Sequence, residues 1–183
     1  MLVIIGPSAS GKTQIVCELI KSYNLNKMVT YTTRAPRVNE QNGIDYHFIS
    51  IEEFKEKLDN DFFLEHVLYN GNYYGTAKNE LSNDKVVILE KEGLKTYIKE
   101  ARDKIKIVYV HCSKPIRRIR MISRGDEIEN INKRLASDDA WFDREVRELA
   151  DFIIDTSNTN LYESTKVVYN YYPLQALRQY PKG

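Results

Sequence analysis

The chain has 183 residues, 42% of them hydrophobic and 29% charged, with 27 basic side chains set against 26 acidic ones for a net charge of +1. That length suits one sizeable core with inserted lobes, and the near-neutral balance gives no reason to expect a nucleic acid or a membrane surface as partner. Cys17 and Cys112, without zinc spacing around them, are expected as buried thiols rather than a disulfide, and the opening apolar run is too short for a leader or a span, so a cytoplasmic location is expected.

In chain order, Leu2–Ile5 is an apolar run of strand type, followed at once by Gly6-Pro7-Ser8-Ala9-Ser10-Gly11-Lys12-Thr13. This is G-x-x-x-x-G-K-[ST] between a strand and a helix predicted over 12–22, the setting in which the pattern cradles phosphate. Gly6 and Gly11 let successive backbone N–H groups turn inward on an anion. The start of the helix adds the positive end of its dipole. Lys12 is placed to reach the outer phosphates, and the Thr13 hydroxyl to hold Mg²⁺. The segment therefore predicts binding of a nucleoside triphosphate.

Residues 29–82 form shorter, mixed segments. Thr30-Tyr-Thr-Thr-Arg34-Ala-Pro-Arg37 sets two arginines among hydroxyl side chains, with Pro36 stiffening the loop. Arginine forks suit a dianionic phosphate, although two loop arginines are as readily solvated surface. Tyr46 offers a phenolic hydroxyl nearby. A capping box at Ser50-Ile-Glu-Glu opens a short helix to about Leu58, and Phe62–Tyr69 reads as a strand running into a turn at Asn70-Gly71-Asn72. Glu65 and Thr76 place a carboxylate and a hydroxyl near this hairpin. A carboxylate is what a guanine N1–H/N2–H₂ edge requires, the alternative for Glu65 being a solvated strand position. Of Tyr73 and Tyr74, one is expected to pack the hairpin.

Farther on, runs rich in Val and Ile at 86–89, 105–110 and 152–154 alternate with helical patterns at 91–102, 114–123 and 137–149. Continuous apolar runs alternating with helices predict an α/β fold, a parallel sheet flanked by helices on both faces in three layers. Residues 124–137 are rich in charge and read as a mobile flap. The expected division is a core of 1–28, 83–123 and 138–183, a lobe of mixed α+β character at 29–82, and a lid at 124–137. The aromatic stretch from Tyr169 is expected to pack a final helix on the core, with a dimer contact as the second option, so a monomer and a homodimer both stay open.

Gly6–Thr13, Thr32-Thr-Arg-Ala-Pro-Arg37, Asn42-Gly-Ile-Asp-Tyr46-His-Phe, Phe63-Leu-Glu65 and Gly71-Asn-Tyr-Tyr-Gly-Thr76 occur in an order and spacing that resembles the guanylate kinase family. The later Arg124-Gly and Ile131-Asn-Lys-Arg134-Leu are similar to that family's lid. The resemblance spans almost the whole chain. It implies a P-loop core with a nucleoside-monophosphate lobe, and reversible Mg²⁺-dependent transfer of the ATP γ-phosphoryl group to GMP or dGMP. Gly6 to Thr13 then correspond to the ATP phosphate cradle, and Thr30, Arg34, Arg37, Tyr46 and Tyr74 to the loop and phenols around the GMP phosphate. Glu65 and Thr76 correspond to the guanine readers, and Arg124 and Arg134 to lid arginines that close over the transferred group.

The sequence also departs from that pattern. Ala9 stands where the family usually has Gly. After the strand at 86–89 the family's acids are replaced by Glu90 and Glu92, which keep the charge on a longer arm; Glu90 corresponds to an acid near the metal and Glu92 to one that helps read the guanine amino group. Two other readings follow: a relative acting on another phosphorylated acceptor, such as a ribose bisphosphate, and a binding module without catalysis. The complete P-loop argues against the module, and Glu65, Tyr74 and Thr76 argue against the other acceptor.

Overall fold

In chain order the elements are β1 (Leu2–Ile5), α1 (Lys12–Tyr23), β2 (Asn26–Lys27), β3 (Tyr31–Thr32), β4 (His47–Phe48), α2 (Ile51–Asp59), β5 (Phe63–Tyr69), β6 (Asn72–Ala77), β7 (Lys85–Ile88), α3 (Lys91–Ala101), β8 (Lys106–His111), α4 (Lys114–Ser123), α5 (Ile128–Trp141), α6 (Arg144–Glu148), β9 (Phe152–Asp155) and α7 (Leu161–Tyr171). The structure, a computed structural model, describes residues 1–36, 40–69, 71–89, 91–142 and 144–172, and for residues 69, 91, 92, 139–141 and 144 the backbone alone.

Five strands pair in the order β2-β7-β1-β8-β9, every pairing parallel. Parallel strands need crossover connections, and the helices that supply them cover both faces. The central strand β1 shows the result: all of Leu2–Ile5 are buried. Leu2 and Ile4 point into one apolar layer with Ile15 and Leu19 of α1 and Val168 of α7. Val3 and Ile5 point the other way, onto Leu94 and Tyr97 of α3 and Val146 of α6. This two-sided burial is why the strands read as unbroken Val and Ile runs rather than as an alternating pattern. The fold is therefore α/β, with a parallel sheet between helices.

A second sheet, order β4-β3-β6-β5, is mixed. The β3–β4 pair is parallel, whereas β6 runs antiparallel to both β3 and β5. Its core is aromatic: Phe54 of α2 stacks on Phe63 at 4.4 Å and on Tyr73 at 5.2 Å between centroids. A Cβ on Gly75 would lie 2.9 Å from the Phe63 ring, so that packing requires glycine there. Tyr73 is the hairpin-packing tyrosine of the pair. The Ser50 hydroxyl accepts the Glu53 N–H at 3.1 Å, as the capping box predicts. The turn residue Gly71 has φ +76°, while Asn70 lies outside the described residues.

Three expectations change. The charged stretch read as a flap is helical from Ile128, and the predicted helix at 137–149 is instead the end of α5 followed by the short α6. Two apolar side chains four apart, Ile131 and Leu135, bury against Met121 of α4 and hold α5 in place. Cys17 is exposed, because α1 turns Ile15, Val16 and Leu19 inward and leaves Cys17 off that face; Cys112 is buried and both thiols are free. The edge strand β2, paired to β7 through Asn26 and Lys27, carries no apolar signal at all. The aromatic stretch does pack a final helix: Tyr169 meets Tyr23 at 4.1 Å and Tyr171 stacks on Phe152 at 4.5 Å. Among the described residues no helix is long and apolar enough to cross a membrane.

Candidate active site

The loop after β1 lies against the carboxyl end of the parallel sheet, where ligands of such sheets bind. Gly6 adopts φ +143°, and a Cβ there would stand 2.3 Å from the Val110 carbonyl oxygen of β8. Only glycine lets the loop pass so close. Gly11 caps α1 at φ +101°, and Ala9 takes a left-handed φ of +58° in spite of its Cβ. That conformation costs an alanine roughly 1 kcal/mol. The Arg120 guanidinium offsets part of it by donating to the Ala9 carbonyl at 3.2 Å and the Thr156 carbonyl at 2.7 Å. Thr156 in turn donates to the Ser10 carbonyl at 2.7 Å. The loop is thus held from outside by α4 and by the end of β9.

Lys12 folds back across the loop, its ammonium donating to the carbonyls of Gly6 at 2.6 Å and Pro7 at 2.9 Å. Beside it opens a cavity of about 700 Å³ lined by Ser10 to Thr13, Arg120 and Arg124, among others. Its size and cationic lining suit a nucleotide bound through its phosphates. The Thr13 hydroxyl, exposed at the start of α1, lines the same cavity. One protein hydroxyl combined with substrate phosphates and waters is a donor set that fits Mg²⁺. Glu90, the second expected metal residue, lies outside the described residues.

On the far side of the loop, the Ser8 N–H and hydroxyl both donate to Asp138 of α5, at 3.0 and 3.2 Å. Arg117 of α4 donates to the same carboxylate at 2.7 Å, and both side chains of this pair are buried.

The second sheet gathers the other expected residues. Arg34 follows β3, and its guanidinium donates to both Glu40 oxygens at 2.9 Å and to the Ala35 carbonyl at 2.8 Å. It lies 5.5 Å from the Tyr46 ring centroid and 5.8 Å from that of Phe48. Tyr46 and Tyr74 meet at 6.1 Å, and the Tyr74 phenol faces Arg34 as well. The Glu40 hydrogen bond pushes the Arg34 pKa above its ordinary value, so this charge is permanent. Thr30, half-buried, accepts the His47 N–H at 2.8 Å through its carbonyl. Arg37 lies outside the described residues, as does the side chain of Glu92 at the start of α3.

Glu65 and Thr76 sit opposite each other on β5 and β6, beyond an irregularity in register at Phe63. The Thr76 hydroxyl donates to Glu65 at 2.7 Å. Behind them the fully buried Tyr97 phenol meets Thr76. Burial pushes the Tyr97 pKa far above the usual phenol range; the Thr76 hydrogen bond opposes that shift and the Glu65 charge adds to it. A half-buried carboxylate oriented by a hydroxyl keeps further lone pairs that can accept N–H donors.

The two expected lid arginines converge as well. Arg124 pairs with Asp126 through two hydrogen bonds, one of them at 2.9 Å, and Arg134 of α5 approaches the same carboxylate at 3.7 Å. The Arg124 hydrogen bond is the main reason that the Asp126 pKa falls below the usual carboxylate range. Sequence reasoning missed Arg120, Thr156, Tyr97 and the Arg117–Asp138 pair. Helical spacing was the one available signal: Arg120 lies one turn before Arg124 and Asp138 one turn after Arg134.

A P-loop on a parallel sheet, combined with an arginine–tyrosine cluster and a carboxylate–hydroxyl pair on a second sheet, is the arrangement of a nucleotide-binding protein. The guanylate kinase family model matches residues 1–170, and the chain belongs to that family of nucleoside monophosphate kinases. Relatives named guanylate kinase include one from Campylobacter jejuni (strain RM1221), 36% identical over 92% of this chain and 86% of its own. Another, from Clostridium perfringens (strain SM101 / Type A), is 35% identical over 92% and 80%. The crystal structure of guanylate kinase from Anaplasma phagocytophilum shares the fold at a TM-score of 0.64 and 22% identity, covering 98% of this chain and 86% of that one.

Proposed function

We propose that the protein catalyses MgATP + GMP ⇌ ADP + GDP, with dGMP as a second acceptor. The Glu65–Thr76 pair standing beside the Arg34–Tyr46–Tyr74 cluster carries this reading, because a simple ATPase needs neither. The P-loop residues Gly6 to Thr13 hold the ATP phosphates, residues 29–82 act as the acceptor lobe, and residues 124–137 act as the lid.

A GMP phosphate oxygen attacks the γ-phosphorus while the bond to the bridging oxygen breaks and ADP leaves. The attacking phosphate is already largely dianionic at pH 7, so no general base is required. The protein's work is alignment and charge. Arg34 and Arg37 take the acceptor phosphate with Tyr46 and Tyr74, and Glu40 keeps the Arg34 fork pointed correctly. Lys12 exchanges its carbonyl partners for phosphate oxygens, which are stronger acceptors because they are charged. Arg124 and Arg134 release Asp126 and close over the migrating group, which keeps water out. Mg²⁺, when bound at Thr13, neutralises charge on the donor phosphates. Thr30 shapes the acceptor loop, and Glu65, Thr76 and Glu92 read the guanine edge.

ADP release from MgATP in the presence of GMP tests the proposal. Release that depends on GMP, stops with EDTA and falls at least about 10³-fold in Lys12→Ala is the expected result. ADP release indifferent to GMP, or near-normal turnover in Lys12→Ala, would overturn it.

A further inference from the structure

The loop that cradles phosphate is also tied to α5 by a buried charge. Asp138 is 8% exposed and Arg117 is 4% exposed. One Asp138 oxygen accepts the Ser8 N–H at 3.0 Å and the Arg117 guanidinium at 2.7 Å; the other accepts the Ser8 hydroxyl at 3.2 Å. A buried carboxylate with three donors is well satisfied, yet such a pair is a poor device for stability alone. An apolar pair of matching size stabilises a core about as well. Its distinctive property is direction: it fixes the orientation of one peptide unit, the one that leads into the amides around Ser10 to Thr13.

Its position on α5 adds a second consequence. Asp138 lies four residues after Arg134, on the same helical face. Ile131 and Leu135 pack on Met121 between the two ends. The C-terminal part of α5 is therefore anchored to the phosphate loop, while one turn earlier the exposed Arg134 extends towards Asp126. A helix held in this way sets where the backbone at Arg134 stands relative to the loop, and closure then falls to the exposed Arg134 side chain.

We infer that Asp138, neutralised by Arg117, is a positioning residue for the donor nucleotide: it pre-orients the phosphate loop through Ser8 and ties that orientation to the arm bearing Arg134. A loop ordered in advance binds with less entropic loss, so the effect falls on ATP and not on the acceptor. The inference rests on the P-loop holding ATP, as proposed above.

The test uses the full chain and two variants. The double variant Arg117→Leu/Asp138→Ala removes both buried charges together, so neither is left unpaired, and Asp138→Asn keeps the volume but loses the charge and one acceptor. Calorimetric binding of a non-hydrolysable ATP analogue with Mg²⁺, binding of GMP, and melting temperature are measured for all three proteins. The expected result is an analogue Kd raised about tenfold in the double variant and about threefold in Asp138→Asn, with GMP Kd within twofold of wild type. Unchanged analogue affinity in folded variants, equal losses for both nucleotides, or unfolding of both variants would overturn it. Because binding is measured without turnover, a wild type that binds the analogue but leaves GMP unphosphorylated sinks the proposed function while this inference is still decided. A wild type that binds no analogue sinks both.

Discussion

The two regions proposed to handle phosphate in this protein are built from different materials. The donor side is backbone: eight consecutive residues whose shape is set by Gly6 against Val110, by Gly11 capping α1 and by Arg120, Thr156 and Asp138 holding the loop from outside. The acceptor side is side chain: Arg34, Tyr46, Glu65, Tyr74 and Thr76 come from separate strands and loops of a small sheet with an aromatic core. A backbone cradle fails when the chain cannot take its path. A side-chain clamp fails one group at a time, and each loss is confined to one substrate.

Four substitutions press on that contrast, from the largest expected effect to the smallest. Arg34→Ala should lower kcat/KM for GMP by about 10²- to 10³-fold while the KM for ATP stays within about twofold, read by steady-state kinetics with each substrate varied in turn. A comparable rise in the ATP KM would show that the regions are not separable. Gly6→Ala should act through the fold instead. The added Cβ collides with a backbone oxygen and strains a left-handed φ, so a loss of about 3 kcal/mol is expected in denaturant unfolding, together with ATP binding. Wild-type stability in that variant would mean that the approach to Val110 is looser than the 2.3 Å contact implies.

Thr76→Val should reduce discrimination between GMP and AMP about tenfold and cost about 1–2 kcal/mol of stability, because the buried hydroxyl that bonds Glu65 and meets the Tyr97 phenol is lost. If Thr76 only packs, selectivity will not move. Ala9→Gly is the mildest, and it goes the other way: relief of the left-handed strain at φ +58° is partly offset by the greater freedom of glycine in the unfolded chain, leaving a gain of about 0.5 kcal/mol or less in thermal melting. A clear loss would mean that the packing of the Ala9 methyl on the cluster around Met121 outweighs the strain.

The same contrast explains what could be read from the sequence. The core strands were legible because both faces of the sheet are covered, which forces unbroken runs such as Leu2–Ile5. The donor loop was legible because its parts are contiguous. The Glu65–Thr76 pair joins residues on two strands; the residues alone left Glu65 open between a base reader and a solvated strand position, and the resemblance to a family favoured the first. The helix α5 was obscured because two buried apolar residues, Ile131 and Leu135, are diluted by charged neighbours. Asp138 and Arg117 were hidden for a sharper reason. They sit in Ser-Asp-Asp and Arg-Arg runs that look like solvated surface, and the packing of α4 beside α5 buries Asp138 and Arg117. The two-residue strands β2, β3 and β4 are too short to carry a period of any kind.

The central claim is that the inserted sheet is a guanine-reading acceptor clamp facing a generic donor clamp. The most direct test compares ADP release from MgATP with GMP, dGMP, AMP, CMP and UMP, measured side by side on the wild-type chain. Strong release with GMP and dGMP, and little with the other three, is the result expected from Glu65 and Thr76. Strong release with AMP and none with GMP would contradict it.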